Sequence, residues 1–148
     1  MAGNWRITMR FIKVSQKENK DIQALYESVM SAACYGLFYR EGLIIGEEIA
    51  RIAAQESEED YFESCAKLLK AKGWVEEVKF EDTVAYVTAS FESLDTKDSD
   101  KSTCHMLRGI MNKVYEGYSH KRMHTEEVEC TSRSNDQCVF KVEEGGGD

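Results

Sequence analysis

The spacing of the apolar residues changes once along this chain, at Gly73, and that change decides the fold class. Before it, Ile22, Leu25, Tyr26, Val29, Ala33 and Leu37 recur at the three-to-four spacing of one helical face over residues 20–40, with Asn19 or Asp21 as cap and Gly42 as stop. Ile45, Ile49, Ile52 and Ala53 form a second helical stripe. Ser57, with Asp60 three residues on, opens a third helix in the manner of a capping box; Tyr61, Cys65, Leu68 and Leu69 face inward, and Lys70, Lys72 and Gly73 close it. After Gly73 the segments "WVEEVKFED" and "TVAYVTASF" are β-branched and aromatic, and they join around Glu81–Asp82–Thr83 as a hairpin. The second is apolar on both faces, which predicts a central strand. The polar stretch "ESLDTKDSDKS" leads to a late helix capped by Ser102 or Thr103. Its inward face is Cys104, Leu107, Ile110, Met111, Val114 and Tyr118. "SHKRMHTEEVEC", "TSRSNDQ" and "CVFKVE" read as strand, turn and strand. The expected fold is α+β: N-terminal helices packed on an antiparallel sheet, with one late helix inserted between strands. Residues 1–18 read as a strand or arm with Ile7, Met9 and Phe11 on one face, residues 144–148 as a frayed tail, and 1–148 as one domain.

The charge balance narrows the function classes. Twenty-seven acidic residues against 19 basic give a net charge of −8, and no basic block is present, so no nucleic-acid partner is expected. No apolar run reaches the roughly 20 residues that span a bilayer, and the first residues, "MAGNWRITMRF", lack the apolar core of a signal peptide. A cytoplasmic protein with reduced thiols is expected, and no membrane association.

Five cysteines, an odd number in a reducing setting, argue against a disulfide framework. Cys34 and Cys65 fall among apolar residues at helical spacing and read as buried structural thiols. Cys104, Cys130 and Cys138 gather in the last third beside the acidic pair Glu126 and Glu127. Three thiolates and a carboxylate are a donor set for zinc, and a cysteine at a helix start is favoured as thiolate. Separate buried thiols, or a Cys130–Cys138 disulfide across the hairpin, remain open on spacing alone. A regular strand sends residues three apart to opposite faces, so Glu126 rather than Glu127 shares a face with Cys130 unless the strand bulges.

From Gly73 onward these segments resemble the vinyl-4-reductase (4VR) domain, a small-molecule-binding module. The resemblance rests on "KGWVEEVKFEDTVAYVTASF", on "CHMLRGIMNKVYEGY" and on "EEVECTSRSNDQCVFKV". Its pattern is a cysteine opening a helix (Cys104), a small residue five on (Gly109), E-x-x-C (Glu127 and Cys130), and C-x-F (Cys138 and Phe140). The preceding helices fit by pattern only. In members that sense aromatic compounds these positions hold one zinc, so the resemblance implies Cys104, Glu127, Cys130 and Cys138 as ligands. It thereby implies a bend at residues 127–130. The chain departs from the family in "YEGYSHKRM", where a more apolar segment is usual, and in lacking the ATPase and DNA-binding domains of the transcriptional sensors.

The resemblance implies a stand-alone domain for a small apolar or aromatic molecule, with zinc structural, because four protein ligands leave no position for a water. Tyr35, Phe38, Trp74, Tyr86, Phe91, Met106 and Ile110 are the expected pocket walls. A second possibility is an enzyme accessory or reductase-like protein acting on a vinyl or tetrapyrrole substrate, although no nucleotide-binding glycine loop is present. A third is an assembly module working through a partner chain. Helix 20–40 carries apolar residues beyond one stripe, which points to a homodimer.

Overall fold

The computed structural model describes residues 10–56, 60–92, 104–130 and 137–145. Helix α1 (Gln16–Met30) starts at Ser15, whose hydroxyl accepts from the Glu18 N–H while the Glu18 carboxylate accepts from the Ser15 N–H. This capping box lies upstream of the expected Asn19 or Asp21. A short 3-10 turn (Ser31–Ala33) separates α1 from helix α2 (Cys34–Glu56). The break sits inside the expected 20–40 helix, and Gly42 stops nothing: it lies within α2. Helix α3 (Tyr61–Ala71) follows with Asp60 at its N-cap, and Ser57 lies outside the described residues. Residues 10–14 carry no strand, and the expected strand's other residues also fall outside.

Strands β1 (Glu77–Phe80) and β2 (Val84–Thr88) form the expected hairpin. Helix α4 (His105–Ser119) precedes strands β3 (Met123–Glu129) and β4 (Cys138–Glu144). The sheet is antiparallel throughout, in the order β1-β2-β4-β3, so β2 is central as its two apolar faces require. The class is α+β, with one helix inserted between strands.

Alternation along the strands sends Ala85 and Val87 of β2, Phe140 and Val142 of β4, and Thr125 of β3 to one buried face. Leu107, Ile110, Met111 and Val114 of α4 complete that core, and α2 packs over α4 from the other side. The two helices cross at backbone contact. A Cβ on Gly42 would overlap the Met106 carbonyl oxygen, and one on Gly109 would overlap that of Tyr39. Gly42 is therefore a close-approach glycine. Tyr118, expected inside, is half exposed. No helix of the described residues is long and apolar enough to cross a membrane.

Candidate metal centre and adjoining groove

Cys104 is the N-cap of α4, one step before the first turn where it was expected. Its side chain makes no capping bond, so the helix start draws its acceptors from elsewhere. Glu127 Oε1 of β3 accepts from the Cys104 N–H at 3.3 Å. Glu92, which follows β2, accepts from the Met106 N–H (3.0 Å) and from the Leu107 N–H (2.7 Å). Two carboxylates thus serve the positive end of α4, and the Cys104 thiol is left to face the sheet.

There it meets Cys130 and Cys138. The three Sγ atoms form a near-equilateral triangle, 3.8 Å from Cys104 to Cys130, 3.6 Å from Cys104 to Cys138 and 3.7 Å from Cys130 to Cys138. These separations exclude disulfides, whose bond is about 2.05 Å. Two thiolates each about 2.3 Å from one tetrahedral zinc stand about 3.8 Å apart, so the edges suit such an ion. With Glu127 the group has all its ligand atoms within 4.8 Å of one another. Oε2 of Glu127 is buried and has no hydrogen-bond partner among the described residues, a costly state that a cation would relieve. The donor set and the orphaned oxygen both fit a metal ion.

A bulge makes the geometry possible. Glu127 pairs with Phe140 and Glu129 with Val139, so Val128 is an extra residue in β3. Glu127 and Cys130 consequently fall two ladder positions apart instead of three and return to the same face. Glu126, opposite Lys141, points outward and is exposed. Burial pushes the Cys104 thiol well above its ordinary value, and the neighbouring Cys130 and Cys138 push it further. Burial likewise raises Glu127, with Cys130 adding to it. Four acidic groups in one dry space favour their protonated forms unless a cation joins them. Cys34 and Cys65 lie buried apart from this cluster, and burial pushes the Cys65 thiol up to about 12.

Beside the centre runs a groove of about 610 Å³ between α1, α2 and the turn after α3. Of the expected pocket walls, Phe38, Trp74, Phe91 and Met106 line it. Tyr35 instead stacks on His105, ring centroids 4.3 Å apart. Tyr86 alternates with the buried Ala85 and Val87 and so lies on the outer sheet face beside Lys79. Ile110 is locked in the core under Gly46. The spacing of aromatic residues could not separate these faces without the register. Ile22 and Tyr26 of α1 add apolar surface, and Gln23 adds an amide.

The buried carboxylate of Glu92 was missed. In sequence it opens a polar stretch, and its only signal is an acid just beyond a strand with no helix of its own to cap. Burial raises its pKa to about 7, against the pull of the Leu107 and Met106 N–H groups.

Residues 83–144, which hold β2, α4, β3 and β4, match the family model of the vinyl-4-reductase (4VR) domain. Among solved structures, the phenol-responsive sensory domain of the transcription activator PoxR, crystallised with phenol, aligns at TM-score 0.77 and 18% identity, covering 92% of this chain and 77% of that one. A vinyl-4-reductase family protein from Methanocaldococcus jannaschii aligns at TM-score 0.65 and 16% identity, covering 93% and 85%. At these identities the two likenesses establish the fold. No curated protein matches the chain significantly.

Proposed function

From the premise that the chain carries a vinyl-4-reductase domain over residues 83–144, we propose that it is a small-molecule-binding domain stapled by one structural zinc. The observation that carries the metal is the thiol triangle closed by the orphaned Glu127 oxygen. Cys104, Glu127, Cys130 and Cys138 would hold the ion, tying the start of α4 to the β3–β4 hairpin. When bound, zinc supplies a fixed charge and a cross-link. The four protein donors fill its tetrahedral shell, which supports a structural role. Three thiols gathered at this spacing suit a compartment that keeps them reduced, such as the cytoplasm.

The ligand in this reading is an apolar or aromatic molecule seated between Phe38, Trp74, Phe91 and Met106. That the similar PoxR domain was crystallised with phenol makes phenol the first probe. The whole chain, 148 residues, acts here as one domain. Elemental analysis of protein purified without added zinc should give about one zinc per chain. Phenol titrated against Trp74 fluorescence, with Trp5 replaced by Phe, should give a saturable change that Phe91→Ala abolishes or weakens at least tenfold. A chain with no metal loses the zinc half of the proposal. Failure of phenol and toluene alike to saturate loses the ligand half.

A homodimer is part of the same reading. Helix α1 buries none of its residues, and Leu25 and Val29 are 62% and 77% exposed on it. Burying that face against a second copy removes apolar surface that water disfavours. Sedimentation equilibrium should report twice the chain mass at micromolar concentration, and Leu25→Glu with Val29→Glu should return a monomer. A monomer at every concentration removes the dimer from the proposal.

A further inference from the structure

On the reading that the groove takes a ligand and the cluster takes zinc, we propose that Glu92 is a positioning residue that couples the two sites. The chain leaves β2 through Ala89, which holds a positive φ of 55° rarely adopted by a residue with a side chain. That turn points the next three residues at three different partners. Ser90 lies under the metal cluster, its Oγ 3.2 Å from Cys104 Sγ. Phe91 lines the groove edge-on to Trp74, ring centroids 5.6 Å apart. Glu92 is 7% exposed and bonds the first turn of α4, whose N-cap is Cys104.

The same segment holds α1 in place. Gln16 Nε2 donates to the Phe91 carbonyl at 3.2 Å, and Gln23 Nε2 donates to Glu92 Oε2 at 3.4 Å. Gln23 also reaches Met106 Sδ at 3.7 Å, and both residues line the groove. Because α1 buries none of its own residues, its seat depends on contacts of this kind and on Tyr26 against Phe38. Between α1 and α2 stands Ser31 at φ 52°, a second strained position at the joint about which α1 would move.

The chain of contact is short. A molecule filling the groove presses on Phe91 and Met106 and fixes Gln23. Gln23 and Phe91 fix Glu92. Glu92 fixes the first turn of α4, and with it the direction of Cys104. Groove occupancy therefore favours the arrangement of Cys104 that ligates zinc, and by linkage zinc favours the occupied groove by the same factor.

The test measures that factor. Zinc affinity is determined by competition with a chromophoric chelator, with and without saturating phenol. Phenol affinity is determined with zinc present and with zinc chelated. In the native protein phenol should tighten zinc binding about tenfold, within the usual range for coupled sites, and zinc should tighten phenol binding equally. In Glu92→Gln one accepting oxygen becomes an N–H donor facing a backbone N–H, and the factor should fall to within twofold of one. Gln23→Leu leaves the Glu92 cap on α4 intact and should lower the factor likewise, which keeps the test open should Glu92→Gln fail to fold. The factor is a ratio, so it reads independently of any change in either affinity alone. Coupling that arises merely because zinc and phenol both favour the folded chain would persist in both variants, and that result overturns the proposal. A native factor of one with phenol bound overturns the coupling alone. No phenol binding to the native protein overturns the groove reading and the coupling with it.

Discussion

Stripping zinc from the protein is expected to lower its melting temperature by about 10 °C. At free zinc a thousandfold above the dissociation constant, ligation adds about 4 kcal/mol to the folded state. A chain of this size moves by about 2–4 °C per kcal/mol. The structural reason is local. The cluster joins the first residue of α4 to both strands of the β3–β4 hairpin, and without an ion it leaves a buried carboxylate oxygen unpartnered among the described residues. Scanning calorimetry with and without a tight zinc chelator makes the measurement. Cys138→Ser should reproduce most of the chelator's effect and leave little further shift on chelation. Glu127→Gln should weaken zinc binding, while Glu126→Gln, outward-facing on β3, should leave it unchanged. Because the ligands must shed their protons to bind, zinc should leave more readily as pH falls. A melting curve indifferent to the chelator would end the zinc reading. Equal effects at Glu126 and Glu127 would end the part that depends on the bulge.

That bulge marks the limit of what the strand pattern could say. The thiols and the acid were legible as a donor set from residue type alone, and the hairpin and late helix from the change of period at Gly73. Period-two alternation, applied strictly, selects Glu126; only the E-x-x-C resemblance pointed to Glu127 and to a bend. The structure puts the bend at Val128, an ordinary β-former with nothing in its type to announce an unpaired residue. The break between α1 and α2 was equally silent. Ser31 takes a positive φ within "SVMSAACYG", where helical spacing continues and no glycine stands at the break itself. Glu92 and Gln23 were hidden for a different reason. Their roles depend on α1 lying beside the end of β2, a long-range contact between residues 69 positions apart. Tyr35, Tyr86 and Ile110 were aromatic or apolar enough to line a pocket, but their faces are set by register and by the crossing of two helices.

Gly42 shows how a residue read as a stop can report a contact instead, and it leads to the second large effect. Gly109→Ala is expected to destabilise the protein by about 3 kcal/mol, or about 10 °C in melting temperature. In an exposed helix the same change stabilises by up to about 1 kcal/mol, because alanine is the better helix former. The signs differ because of where Gly109 lies. A Cβ there would overlap the Tyr39 carbonyl oxygen of α2 and press on the Leu43 nitrogen at 2.9 Å. Both are backbone atoms inside a helix and cannot rotate away as a side-chain tip would. α4 would have to lift from α2, and lifting it draws Cys104 from the sheet, so Gly109→Ala should also weaken zinc binding. Gly36→Ala is the internal comparison. Gly36 lies in α2 with nothing within 4 Å of its would-be Cβ, so alanine there should raise the melting temperature slightly. Thermal unfolding of the two variants beside the native protein decides the matter. If Gly109→Ala stabilises as Gly36→Ala does, the helices do not cross at backbone contact, and the rigid link assumed between α2 and the metal-bearing end of α4 is absent.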